Sequence, residues 1–367
     1  MKKFRAAVIG RTGRGNYGHS LDVVWLAVPD VELVAVADDD PAGLAAAVKR
    51  LKVDRGFADY RKLLDEVKPD VVSIAPRWLD CHAEMALACL ERGIHVYMEK
   101  PFCRTLAEAD AIVAACERTH TKLATAHQTR YSPRVDVAKR LIADGKIGKV
   151  LEYRGRGKED RRGGGEDLWV LGTHIMDLIR NFGGHPQWCF ARITQDGHPV
   201  GKSDVAEGAE GIGPLAGDDV RAVYGMPDGS TAHFASQRNA GRKRSRFALQ
   251  IFGTDGVIEI APGHMKPTVK LLADPAWSPL DAAAPWVEVT TAGINQPEPI
   301  AEGGLPAGNV LAISDLLAAI RENRDPRGNA YEARGNTEMI VAALASHVAG
   351  GPVSLPLADR GNPMAAL

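Results

Sequence analysis

The sequence predicts an α/β domain built on a parallel sheet, followed by an α+β domain built on an antiparallel sheet. Two observations lead there. Over the first 125 residues, short apolar runs alternate with helical stretches, as in a parallel sheet with right-handed crossovers. Beyond about residue 148 the chain turns to strand-like segments joined by Asp-Gly turns, as in "MPDGST" and "GTDGVIEI", which are hairpin signals. The expected domains are therefore 1–125 and 126–367, with the C-terminal helices free to pack back on the first.

The elements follow in order. "FRAAVI" is a first strand ended by Gly10, "VELVAVA" a second ended by Asp38, "PDVVSIAP" a third, "HVYME" a fourth and "KLATA" a fifth. Runs this apolar suit strands buried on both faces. "LDVVWLAVPD" is expected to supply a full helix between the first two strands, and "PAGLAAAVKRL" and "HAEMALACLERG" supply others. Gly93 is a plausible stop for the last of these. In the second half "GKVLEYRGRG" reads as a strand, "RRGGGED" as a glycine-rich loop and "GTHIMDLIRNFGG" as a helix. "CFARIT", "DDVRAVYGM", "STAHFASQ", "RFALQIFG" and "GVIEIAP" read as strands. Ala261–Gly308, rich in Pro, Ala and Gly, reads mostly as loop, and two helices finish the chain.

Composition narrows the function. With 45% hydrophobic and 25% charged residues the chain has the make-up of a soluble globular protein. A net charge of −1 provides no global field for nucleic acid or acidic lipid. The one basic run, "RKRSR" at Arg242–Arg246, reads as a solvated loop, the alternative being a patch for a phosphorylated ligand or a second subunit. Five cysteines without a C-x-x-C pair fit buried thiols in a reducing compartment. The start reads as a strand rather than a signal peptide, and no run approaches the roughly 18 apolar residues of a membrane span. A cytoplasmic protein is expected, without membrane or nucleic-acid partners.

Residues 8–22, "VIGRTGRGNYGHSLD", hold a literal G-x-G-x-x-G at Gly13, Gly15 and Gly18, and a degenerate copy at Gly10, Thr12 and Gly15. In a dinucleotide-binding turn the first glycine follows the strand directly, and the third lies in the first turn of the helix. That favours Gly10 and Gly15, with Thr12 or the adjacent Gly13 where the backbone nears the pyrophosphate. Backbone N–H groups and the helix N-terminus would face the phosphates. On this register Gly10→Val and Gly15→Val are severe and Gly18→Ala mild. Asp38, at the end of the second strand, is placed to accept from the adenosine ribose hydroxyls and to repel a 2′-phosphate, so NAD is the expected cofactor.

Further motifs resemble a known family. Glu99-Lys100-Pro101 in "HVYMEKPFCRTLAEAD" resembles the E-K-P motif of the Gfo/Idh/MocA oxidoreductases. "PRWLDCHAEMALACLERG" resembles that family's P-N-x-x-H stretch, with His82 retained and Arg77 where Asn is usual. "AHQTRYSPRVDVAKRLIADGKIGKV" resembles its G-x-N-x-R-F segment, with Gln128 where Asn is usual. "GTHIMDLIRNFGG" resembles its H-x-x-D helix, and "ALQIFGTDGVIEI" its Gly-Thr-x-Gly hairpin. The resemblance runs over nearly the whole chain. It implies a Rossmann domain, then a domain with a large, open, mostly antiparallel sheet that makes a homodimer or homotetramer. It also implies NAD(P)-linked chemistry on sugars, cyclitols and related polyols.

The same resemblance assigns candidate roles. Lys100 would polarise the substrate oxygen or relay its proton, and His174 would act as general base. Pro76, His82 and Glu99 become candidate cofactor contacts. Arg130, Tyr131 and Asp177 become candidate substrate or relay residues. Asp177 lies three residues after His174 and shares its helix face, where it serves as a relay or braces the helix. One position departs from the family. The usual D-x-x-x-H has Val170 in place of its Asp, and valine can neither orient an imidazole nor accept a proton. Glu166 and Asp167, behind the glycines, are the candidate replacements, one of them expected to point into the pocket beside His174. No metal spacing is strong enough to assign a metal. The leading function is hydride transfer between a polyol and NAD. The alternatives are a lyase or glycosidase using transient oxidation with retained NAD(H), and a non-catalytic NAD-binding regulator.

Overall fold

The structure is a computed structural model that describes residues 3–241, 246–263, 267–277, 284–301 and 303–367. The chain divides into two compact units, one of Met1–Gln128, Ala209–Gly213 and Gly303–Thr337, the other of Thr129–Gly208, Pro214–Glu302 and Glu338–Leu367. The cut after residue 125 drawn from sequence thus runs after 128, and the first unit also takes two later segments.

The first unit carries a six-stranded parallel sheet. Its strands are β1 (Phe4–Ile9), β2 (Val31–Ala37), β3 (Gly56–Phe57), β4 (Val71–Ile74), β5 (His95–Met98) and β6 (Leu123–Thr125), in the order β3-β2-β1-β4-β5-β6. Between them run α1 (Pro41–Leu51), α2 (Tyr60–Val67), α3 (His82–Leu90) and α4 (Leu106–Thr119). The apolar runs make the core: Ala6–Ile9 and Val71–Ile74 are fully buried. Helix entries are capped by side chains. Asp40 accepts from Gly43 N at 2.6 Å ahead of Pro41, and Thr105 caps α4. The strand order reverses between β1 and β4, and the crevice outside that switch point is where such sheets bind ligands.

The expected helix in "LDVVWLAVPD" does not form. After β1 the chain makes a tight loop closed by an Arg11–Asn16 bridge, then only a short 3-10 turn at Val23–Ala27. Asn16, Gly18 and Ser20 all have φ between +53° and +67°, which interrupts any helix through them.

In the second unit α5 (Pro133–Ala143) leads into β7 (Val150–Arg156), and α6 (Gly165–Val170) and α7 (Gly172–Gly183) follow. Then come β8 (Trp188–Gln195), β9 (His198–Pro199), β10 (Ala206–Glu207), β11 (Pro214–Leu215), β12 (Asp219–Gly225), β13 (Thr231–Gln237), β14 (Ala248–Gly253) and β15 (Gly256–Ala261). Ala261–Gly308 is more ordered than its composition suggests: its described residues include β16 (Thr268–Leu272), β17 (Val287–Thr290) and β18 (Gly293–Ile294), which extend one edge of the sheet. β10 and β11 pair separately; the other strands from β7 on, with β19 (Val353–Ser354), form an 11-stranded, mostly antiparallel sheet in which β7 and β13 run parallel.

α7 covers one sheet face, where Gly155 makes room for Ile175: a Cβ at Gly155 would lie 2.3 Å from it. The opposite face leaves Trp188 and Phe190 exposed. The last helices are α8 (Gly304–Glu322) and α9 (Ala330–Ala349). All five cysteines are free thiols. Of the basic run 242–246 only Arg246 lies within the described residues; it pairs with the buried Glu159 at 2.7 Å.

Candidate active site

The glycine-rich loop is folded in on itself. Gly10 N donates to Ala37 O, Gly13 N to Asn16 Oδ1, and Asn16 N to Arg11 O. Most of its N–H groups are therefore turned inward, and no helix N-terminus stands behind it. The glycines divide the work. A Cβ at Gly10 would meet the Tyr17 ring at 2.1 Å, and one at Gly15 would meet Arg77 N at 2.4 Å. Gly13 forms the open tip, at φ +82° with nothing near. Gly18 is no mild position: its φ is +56° and a Cβ would lie 2.6 Å from Ala75 O. Ala there would strain both backbone and packing.

Asp38, only 1% exposed, holds this loop. Its Oδ1 accepts from Thr12 N at 3.0 Å and Asp40 N at 3.1 Å. Its Oδ2 accepts from Thr12 Oγ1 and Tyr17 OH, both at 2.7 Å. Four donors fill a carboxylate's four lone-pair sites. A ribose hydroxyl can join Asp38 only by replacing one of them, and the Thr12 and Tyr17 hydroxyls are the two carried on side chains. Burial and the carboxylate beside it push the Tyr17 hydroxyl's pKa far up, so it stays a donor. Gly10, Arg11, Asp38 and Tyr60 line a cavity of about 270 Å³ at this end of the sheet.

Glu99 and Lys100 follow β5 directly. Glu99 is fully buried, with His19 Nδ1 on its Oε1 and Lys100 N donating to its Oε2 at 2.8 Å. Burial pushes its carboxyl up, but His19 and Lys100 more than offset that and hold it below its usual value. Lys100 is 5% exposed, and its peptide bond to Pro101 is cis. His82 is not free for a cofactor. Its Nδ1 faces Pro101 O at 2.8 Å and its Nε2 faces Pro76 O at 2.7 Å. The ring clips the segment after β4 to the one after β5, and the Pro76 carbonyl is engaged by it.

The second unit carries the remaining candidates. His174 is half-buried on α7, edge-on to Phe247 with ring centroids 6.5 Å apart. Val170 ends α6, and the chain breaks at Leu171 before α7, so the four-residue spacing to His174 does not run along one helix. Arg130 and Asp177 find each other: Nε–Oδ1 is 3.0 Å and Nη2–Oδ1 2.8 Å, both residues being buried. That pair braces the interior of the unit. Tyr131 is buried beside it in sequence.

Asp167 is fully buried, its Oδ2 accepting from Ser236 Oγ at 2.5 Å and Glu159 N at 3.1 Å. Burial lifts its carboxyl above the ordinary value in spite of the Ser236 bond. Glu166 is half-buried. The glycines before them have a structural purpose the sequence did not suggest. Cβ atoms at Gly163, Gly164 and Gly165 would fall 2.3–2.5 Å from the carbonyls of Gln237, Gly217 and Ala216. They let backbone lie on backbone, and Ser236 joins Gly164 N to Asp167 in the same contact. Among the described residues no group of three or more His, Cys, Asp or Glu could hold a metal ion. No described helix is long and apolar enough to cross a membrane.

Sequence reasoning passed over Tyr17, His19, Asn309 and Ser236. A loop Tyr seven residues past Gly10 and a His immediately after Gly18 were the available signals.

A doubly wound sheet, a glycine-rich loop after its first strand and an acid closing its second define a dinucleotide-binding domain. Residues 4–127 match an oxidoreductase family with an NAD-binding Rossmann fold, and residues 135–259 match the Gfo/Idh/MocA C-terminal domain. The chain belongs to the Gfo/Idh/MocA oxidoreductase family, whose relatives include dehydrogenases. It is 28% identical over 283 residues to a levoglucosan dehydrogenase of Pseudarthrobacter phenanthrenivorans, covering 68% of this chain and 72% of that one. It is 29% identical over 216 residues to a D-apiose dehydrogenase of Paraburkholderia graminis, covering 56% of each. A solved levoglucosan dehydrogenase in complex with NADH and L-sorbose superposes with a TM-score of 0.78 at 22% identity, over 97% of this chain and 100% of that one.

Proposed function

We propose that this chain is an NAD-dependent oxidoreductase that moves a hydride between a sugar, cyclitol or related polyol and nicotinamide. One observation carries the reading. Lys100 is buried at the strand end next to the switch point, beside a buried carboxylate held in its ionised form. Burying a cation and an anion together at a ligand crevice is costly unless they serve the site. The dehydrogenases of the family support the polyol class.

Lys100 polarises the substrate oxygen or relays its proton, and His174 takes the hydroxyl proton as general base. The cofactor, when bound, supplies the acceptor for the hydride. The cavity beside Gly10 and Asp38 suits its adenosine end, with Asp38 exchanging the Tyr17 hydroxyl for a ribose hydroxyl. NAD⁺ is then expected to bind more tightly than NADP⁺, and Asp38→Ala to narrow the gap. Tyr17→Phe spares the exchange of one hydrogen bond worth about 1 kcal/mol, so it should tighten NAD⁺ binding roughly five-fold. Fluorescence titration of the three proteins with both cofactors decides these points. The exposed sheet face with Trp188 and Phe190 is the proposed contact between copies of the chain. Compartment is proposed as cytoplasmic, on composition alone.

Val170 favours one second reading. Valine removes the carboxylate usual four residues before His174, which suits a lyase or glycosidase that oxidises transiently and returns the hydride. Net accumulation of NADH over a panel of sugars, cyclitols and sugar acids supports the leading function. Product without net NADH supports the second, and bound NAD⁺ without product would make the chain a regulator.

A further inference from the structure

The Glu99 carboxylate joins two segments far apart in sequence. Its Oε1 meets His19 Nδ1 from the loop after β1, and its Oε2 holds the Lys100 N–H at 2.8 Å. Gly18 permits the first contact, since a Cβ there would lie 2.9 Å from Glu99 Oε1. The His19 backbone is fixed separately. Its carbonyl accepts from Asn309 Nδ2 at 2.8 Å, and Asn309 Oδ1 accepts from Tyr97 OH at 2.7 Å and Gln128 Nε2 at 2.8 Å. β5, α8 and the segment after β6 thus hold His19 against one strand end. The His19 side chain is 34% exposed while Glu99 is fully enclosed, so the pair has one buried end and one end open to solvent.

We propose that His19 is a positioning residue for Lys100, acting through the Glu99 carboxylate that the two share. The proposal rests on the role given to Lys100 above. His19 keeps Glu99 ionised, and ionised Glu99 holds the Lys100 main chain and favours its ammonium form. His19 and Lys100 are the charged or titratable groups acting on Glu99, and the Tyr97 hydroxyl is turned to Asn309 instead. Without His19 the buried carboxylate lacks a partner on one oxygen and takes a proton more readily. Lys100 then loses the adjacent anion and releases its own proton at lower pH.

The test reads Lys100 directly, by the pH dependence of its acetylation with acetic anhydride, followed by mass spectrometry on the full chain. His19→Ala and Glu99→Gln should each move the Lys100 midpoint down by roughly one pH unit. The double variant should move no further than Glu99→Gln alone, because both act through one carboxylate. His19→Gln, whose amide can still donate to Oε1, should stay near wild type. With a turned-over polyol, the limb of the kcat/KM profile that Lys100→Met abolishes should move with the labelling midpoint. An unmoved midpoint in His19→Ala, in protein that melts and binds NAD⁺ as wild type does, overturns the proposal. So does an additive shift in the double variant. Should His19→Ala not fold, an unmoved midpoint in Glu99→Gln overturns it equally. Labelling needs no substrate, so failure of every polyol to react would count against the proposed function and not against this role.

Discussion

Lys100→Met is expected to slow turnover by a factor of about 10² or more while leaving NAD⁺ affinity near that of the wild type. The expectation comes from where the side chain starts. Lys100 leaves the end of β5 with its backbone N–H held by Glu99 and its residue 95% enclosed, since only 5% is exposed. Methionine keeps the length and apolar stem but has neither charge nor proton. Packing should therefore survive, and the loss should fall on kcat more than on KM. Glu99 would lose the charge of Lys100 and keep its contact with His19, so the strand end should hold its shape. Steady-state kinetics with a reacting polyol, set beside a cofactor titration, measures both halves. Full activity in Lys100→Met would remove Lys100 from the mechanism.

The second large effect is on stability. Asp177→Ala should cost about 3–5 kcal/mol, the usual penalty for stranding one member of a buried ion pair. Arg130 is 4% exposed and meets Asp177 through Nε at 3.0 Å and Nη2 at 2.8 Å. Removing the acid takes the carboxylate from a guanidinium that is almost wholly buried. Replacing both, as Arg130→Met with Asp177→Leu, should recover much of the loss, because no charge then stays buried. Urea unfolding of the single and double variants tests this. A large fall in kcat with unchanged unfolding in Asp177→Asn would favour for Asp177 the relay role that its spacing from His174 suggested.

Much of the first unit was legible in the sequence, because buried parallel strands announce themselves as apolar runs of the right length. Gly10, Asp38 and the Glu99-Lys100-Pro101 turn lie at strand ends, so locating the strands located them. The partners of those residues were not legible. His19 and Glu99 are 80 positions apart and Asn309 is 290 from His19, and nothing local marks such pairs. Local pattern also misled in places. The apolar residues of "LDVVWLAVPD" suggested a helix, but the left-handed residues at Asn16 and Ser20 just before them leave only a 3-10 turn. The loop composition of Ala261–Gly308 hid short edge strands, whose pairing depends on the neighbouring strand more than on propensity. The glycines at 163–165 looked like a means of reaching a pocket, yet they pack against main-chain carbonyls.

The proposed reaction is hydride transfer from a polyol carbon to NAD⁺ at a site that needs Lys100. The most direct measurement is a single turnover with a polyol deuterated at its carbinol carbons, with the cofactor then isolated and weighed by mass spectrometry. One deuterium is expected on the nicotinamide of the wild-type product, appearing about a hundred-fold more slowly with Lys100→Met. Bound NAD⁺ that gains no deuterium from any sugar, cyclitol or sugar acid would contradict it.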